Sequence, residues 1–160
     1  MEVMIMFRRG LIIISALFAL VGYSSLSDQL KEQLNNLPHH YTQFDVKMAW
    51  NIRTVGEHSV IDGVVQNARY SSMEGLEVWV MTMDSKGKET SRSVGFVIPH
   101  SLKLDEITTF SVKLPMLAAS GAKLVIMYKY DGFDGGGGVH AMRSGGGGTS
   151  RMQSFDFIVP

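Results

Sequence analysis

Leu76 to Ile98 reads LEVWVMTMDSKGKETSRSVGFVI. In an extended chain Leu76, Val78 and Val80 fall on one face and Trp79, Met81 and Met83 on the other. A strand apolar on both faces is expected inside a sheet that is itself covered on both sides. Asp84-Ser85-Lys86-Gly87 then supplies a turn, because Gly87 can take a positive φ without a Cβ clash, and the chain returns as a second strand ending at Ile98. This hairpin predicts the centre of an all-β fold, and the rest of the chain can be placed around it.

Upstream, Phe44, Val46, Met48, Trp50 and Ile52 alternate with Asp45, Lys47, Ala49, Asn51 and Arg53. A period of two predicts a strand with the first set buried and the second in water. Ser59 to Asn67 is the next strand, with Gly63 marking a bulge or a close backbone approach and Asn67 placed to start the following turn. Residues 68–75 read as loop. Downstream, Pro99 breaks the chain and a short segment at Leu102 to Leu104 leads into Thr108 to Leu114, with Phe110, Val112 and Leu114 inward. Pro115 stops that strand. Lys123 to Tyr130 places Leu124, Ile126, Tyr128 and Tyr130 on one face, and Met152 to Val159 closes the domain with Phe155, Phe157 and Val159 in phase. About seven strands, with no helical period after residue 37, predict an antiparallel immunoglobulin-like β-sandwich over residues 44–160.

The 160 residues suit one such domain. Lys+Arg and Asp+Glu are equal at 15 each, so no net field draws the chain to nucleic acid, which is not expected as a partner. The chain has no cysteine, hence no disulfide, thiolate metal site or Cys nucleophile, and its core must hold by packing.

The N-terminus has the parts of an export signal: Arg8-Arg9, an apolar run from Leu11 to Val21, then Gly22, Ser24 and Ser25. Residues 1–24 are expected to be a signal peptide, or an anchor tethering the protein through residues 4–23; the apolar run itself falls short of the ~20 residues that span a bilayer. Leu20-Val21-Gly22-Tyr23-Ser24-Ser25 resembles the end of a bacterial lipoprotein signal with Tyr23 at the Cys position. The resemblance implies export to the periplasm or the outer face of the inner membrane, while the missing thiol argues against a lipid anchor. Residues 25–43 read as a short helix and linker: Ser25 and Asp28 can cap its start, Leu26, Leu30, Leu34 and Leu37 form a stripe, and Pro38 follows its end.

Gly63-x-Val65-x-Asn67, the strand around Val78 and Val80, Asp84-x-x-Gly87, and Leu104-Asp105-Glu106 before Phe110-x-Val112 occur in one order. In that order they resemble the small bacterial FxLYD-like β-sandwich domains, across about residues 44 to 130. The chain departs from that pattern at Leu104-Asp105, where the family has Pro-Gly. The resemblance implies an envelope domain and supplies no catalytic residues.

Asp131 to Arg151, DGFDGGGGVHAMRSGGGGTSR, holds nine of the seventeen glycines in a connection too long to be an ordinary hairpin turn. It reads as a hairpin loop or a segment that orders on a partner; a phosphate cradle lacks its Gly-Lys-Ser/Thr and its helix. Asp131 and Asp134 are candidate calcium ligands, although the alternating acidic ligands of an EF-hand are absent. His140-x-Met142 resembles the His-x-Met element of periplasmic copper-binding proteins, and Met81, Met83, His39 and His40 could supply further soft or imidazole ligands. No Gly-x-Ser-x-Gly or comparable nucleophile signature occurs. The sequence therefore predicts a non-enzymatic envelope β-sandwich, needing no cofactor, that meets an unknown envelope protein through the Leu stripe, the Gly-rich segment or an edge strand. Its alternative is a copper or calcium site at His140, Met142, Asp131 and Asp134.

Overall fold

A computed structural model describes residues 26–135 and 148–160. The expected export signal and the segment at 136–147 lie outside the described residues. A helix, α1, runs over residues 26–36. Among the described residues nine strands follow: β1 (His39–Thr42), β2 (Val46–Val55), β3 (His58–Asn67), β4 (Ser72–Met83), β5 (Glu89–Phe96), β6 (Ser101–Lys103), β7 (Ile107–Lys113), β8 (Lys123–Phe133) and β9 (Thr149–Ile158). Their pairing is antiparallel throughout, in two sheets ordered β1-β2-β3-β7 and β5-β4-β8-β9. In chain order β2, β3 and β7 take the places of strands A, B and E of an immunoglobulin-like sandwich, and β4, β8 and β9 those of C, F and G. The strands beyond the expected seven are short: β1 extends the first sheet, and β6 pairs with the start of β4.

The core lies between the sheets. Phe110, Val112 and Leu114 of β7 and its exit meet Leu124, Ile126, Tyr128 and Tyr130 of β8, all buried as their alternation requires. Each such large side chain contributes roughly 1.5–3 kcal/mol on burial, so the cysteine-free core is sufficient without a cross-link. The turn of the opening hairpin forms as expected: Gly87 has φ 75°, and the Asp84 carboxylate accepts from the amides of Lys86 and Lys88 at 2.9 and 2.8 Å.

Four expectations are corrected. β4 is covered only in part on its outer side: Leu76, Val78 and Val80 are buried in the core and Met81 is buried on the outer face, whereas Trp79 and Met83 beside it are half-buried, shielded by neighbours in their own sheet such as Arg92 over the Trp79 ring. Residues 72–75, read as loop, belong to β4, because an irregularity between Glu74 and Glu77 hides the strand's period. Phe44 is 51% exposed and Asp45 is fully buried, the reverse of the alternation, because β2 begins only at Val46. Ala49 points away from the core, as predicted, yet is fully buried along with its cross-strand partner Val64.

The cover over Ala49 and Val64 is α1. Leu30, Leu34 and Leu37 are half-buried, and residues of the helix share surface hollows with Thr42, Lys47, Gln66 and Ile107 on the outer face of the first sheet. The Leu stripe thus lies along the protein's own sheet, with Leu26 at its start 59% exposed.

Gly63 is a close approach rather than a bulge, since its register with Trp50 and Phe110 is unbroken. A Cβ there would lie 2.3 Å from the Ala49 carbonyl oxygen and 2.8 Å from the Phe110 ring. Gly63→Ala is therefore expected to cost about 2–3 kcal/mol in urea unfolding. Gly87→Ala, which meets open space but must hold its positive φ, should cost only about 1 kcal/mol.

Candidate functional site

Two constellations gather polar side chains from distant parts of the chain. The first is buried. Asp45, fully inaccessible, accepts from the Tyr128 hydroxyl at 3.2 Å and from the Tyr130 hydroxyl. Tyr70 packs beside Tyr130 at 5.7 Å between ring centroids, and its hydroxyl accepts from Arg151 Nε at 2.9 Å. Arg151 and Arg69 both lie over the exposed Phe44 ring, at 5.2 and 5.6 Å. Burial, and then the Asp45 carboxylate, push the phenols of Tyr128 and Tyr130 far above the ordinary tyrosine range. A carboxylate closed off from solvent by two tyrosines reaches no substrate, so this cluster is a structural tie between β8 and the entrance to β2.

The second constellation is open. A cleft of about 610 Å³ lies between the end of α1, the outer face of β2, β3 and β7, and the end of β5. Its polar floor is Asn51, Arg53, Asp62, Thr109 and Ser111. Asp62 accepts from Arg53 Nε through Oδ2 and from Ser111 Oγ at 2.7 Å through Oδ1. The register places these side chains together, because Asp62 pairs with Asn51 on one side and with Ser111 on the other. Its apolar wall is Leu37, Phe96 and Ile98, the last two 69% and 81% exposed. The Thr108 hydroxyl bonds the Ile98 carbonyl at 2.6 Å and fixes this wall against β7. Among the described residues no histidine lines the cleft, and Asp62 is shared between the Ser111 hydroxyl and the Arg53 guanidinium. The arrangement offers an apolar shelf beside paired hydrogen-bonding groups.

Of the four sequence-predicted metal ligands, the described residues include Asp131 and Asp134. Asp131 is exposed within β8, opposite Glu74 and Ser150, and Asp134 is exposed just beyond the strand. His140 and Met142 lie outside the described residues. Met81 is buried on the outer half of its sheet beside Val125, with Met83 half-buried at the strand end. His39 is half-buried against Trp50 and Phe157, where burial, then the neighbouring His40, lowers its pKa. Among the described residues no three His, Asp or Glu side chains converge as a metal site. Of the aromatics, Trp50, Tyr128 and Tyr130 are core, and Trp79 is half-buried with its indole N–H on Glu77 at 2.9 Å. Sequence reasoning missed the cleft; its one local signal was the alternation Phe96-Val97-Ile98 at a strand end, where only Val97 turns inward.

No protein-family profile matches the chain, and no curated protein matches it in sequence. Solved structures do match in shape. The GAE domain of GGA2p from Saccharomyces cerevisiae is 13% identical with a TM-score of 0.46, covering 76% of this chain and 96% of that one. The yeast GGA1 GAE domain is 11% identical with a TM-score of 0.44, covering 76% and 98%. Spo0M, a sporulation control protein from Bacillus subtilis, is 10% identical with a TM-score of 0.33, covering 72% and 49%. At such identities these likenesses concern the fold alone.

An unfolded tyrosine ionises near pH 10.0, whereas folded Tyr128 and Tyr130 hold their protons well above it. Their contribution to stability is complete below pH ~10 and is lost as the pH rises beyond it. In a titration followed at 295 nm, these two phenols are expected to ionise only together with loss of far-UV circular dichroism. Asp45→Ala, which leaves both hydroxyls buried without their acceptor, should lower stability by about 3 kcal/mol.

Proposed function

We propose that the chain is a non-enzymatic protein-interaction module of the bacterial cell envelope, exported by residues 1–24 to the periplasm or the outer face of the inner membrane. The observation that carries this is the cleft wall: Phe96 and Ile98, two large apolar residues, are displayed to solvent beside an internally neutralised Arg53–Asp62–Ser111 floor. Such a surface suits an uncharged extended segment of a partner protein, with an aliphatic or aromatic side chain against Phe96 and Ile98 and its amides over Asn51, Thr109 and Ser111. Export rests on Arg8-Arg9 and the apolar run from Leu11 to Val21. The FxLYD-like resemblance gains support at its point of departure: Asp105 has φ 63°, a left-handed conformation suited to the glycine that the family carries there.

A photo-crosslinking amino acid at position 98 of the full chain, expressed in its bacterial envelope, is expected to give one discrete protein adduct. The same group at Lys86 in the hairpin turn should not. Phe96→Ser should diminish the position-98 adduct at least several-fold while leaving the melting temperature within about 2 °C, since Phe96 is surface. A position-98 adduct no stronger than that at position 86 would remove the cleft as the contact.

A further inference from the structure

β9 is a sheet edge of a kind that folded proteins ordinarily conceal. The other edges are blunted: β1 is four residues long, and β5 carries a register shift at its start and sits against β7, with Gly95 so close that a Cβ would meet the Ser111 carbonyl oxygen at 2.3 Å. β9 runs ten residues, pairs with β8 in one unbroken register and has no proline within it. Among the described residues no strand pairs with its far side, and edges left long, regular and open are strand-addition sites.

The direction of its free groups can be fixed. Val159 donates its N–H to Ala122 at 3.0 Å and accepts from Gly121 at 2.8 Å, so its backbone faces the β8 side. By alternation Phe157, Phe155, Gln153 and Arg151 face β8 as well. The amides and carbonyls of Met152, Ser154, Asp156 and Ile158 therefore point to the open edge. Met152 and Ile158 are 64% and 56% exposed.

We infer that this edge pairs with a second copy of itself, antiparallel, with the two-fold axis at Phe155, joining the two copies' five-stranded sheets into one. The argument is self-complementarity. In this register Met152 faces Ile158 of the second copy, Ser154 faces Asp156, and Phe155 faces Phe155 across a narrow pair, so apolar meets apolar and a hydroxyl donates to a carboxylate. Shifting by one step along the same face in one direction sets Asp156 against Asp156; in the other it sets Met152 against Asp156. An odd shift would turn the buried face outward. Phe155 already stacks on Tyr41 at 3.8 Å and packs 5.6 Å from Trp50, so the axis falls on a rigid aromatic seam. The cleft lies at the β5–β7 side, the opposite edge, and stays open in both copies.

The cysteine-free chain makes the register testable in the full-length protein. Residues 154 and 156 would face each other within disulfide reach, whereas 154 and its own copy would lie on a diagonal beyond it. A mixture of Ser154→Cys and Asp156→Cys chains is expected to cross-link under mild oxidation about tenfold faster than either chain alone. In sedimentation of the full chain in mild detergent, wild type should be dimeric. Ser154→Pro removes only an outward N–H, and should raise the dissociation constant by about 30-fold with circular dichroism unchanged. A mixture that cross-links no faster than Ser154→Cys alone, a dimer indifferent to Ser154→Pro, or a monomeric wild type would each overturn the inference, the last leaving the edge to a strand from a different protein.

Discussion

The fold depends on one buried side chain, Asn67. Its amide nitrogen donates to the carbonyls of Tyr70 and Leu102 at 2.8 and 2.9 Å, and its amide oxygen accepts from the backbone of Arg69 and Tyr70 at 3.2 and 3.0 Å. Its own N–H reaches Glu106 at 3.1 Å, and its carbonyl accepts from Asp105 at 2.8 Å. Asn67 thereby ties the end of β3 to both passages between the sheets, the one into β4 and the one from β6 into β7. Backbone buried in those passages would otherwise lack partners, at a cost of about 1–3 kcal/mol for each group. A glutamine would be too long and an aspartate would lack the donors, so the geometry selects Asn.

Asp45 works beside it. Its carbonyl accepts from Ala68, directly after Asn67, and its carboxylate is held by Tyr128 and Tyr130. The two residues hold one end of the sandwich together with polar contacts where apolar packing would leave backbone groups unsatisfied. That end being fixed, the outer face of β2, β3 and β7 is a stable floor on which α1 lies and against which the cleft forms. Positioning of Arg53, Asp62 and Ser111 follows from strand register alone, and such register-built surfaces are more rigid than loops.

Much of the fold was legible in the chain. The hairpin turn at Asp84 to Gly87, the alternation in β7 and β8, and the Leu stripe of α1 are local patterns, and local patterns are what one sequence displays. Asp45 and Ala49 depart from the expected pattern for a reason common to both: the alternation gives a residue's face, while burial depends on what lies over that face. For Asp45 the partners are 83 and 85 residues away, and for Ala49 the cover is a separate element. The cleft escaped notice for the same reason, since its wall and floor come from α1, β2, β3, β5 and β7.

By itself the sequence determined the class of fold, the turn chemistry, the equality of charge and the absence of cysteine. These follow from composition and short-range periodicity, which hold whatever the chain packs against. Tertiary structure decided which polar groups became structural and which became available. It sealed Asp45, laid the Leu stripe on the first sheet, displayed Phe96 and Ile98, and left β9 as a long open edge. Each outcome depends on contacts between segments far apart in the chain, and their distances and exposures exist only once the two sheets have closed.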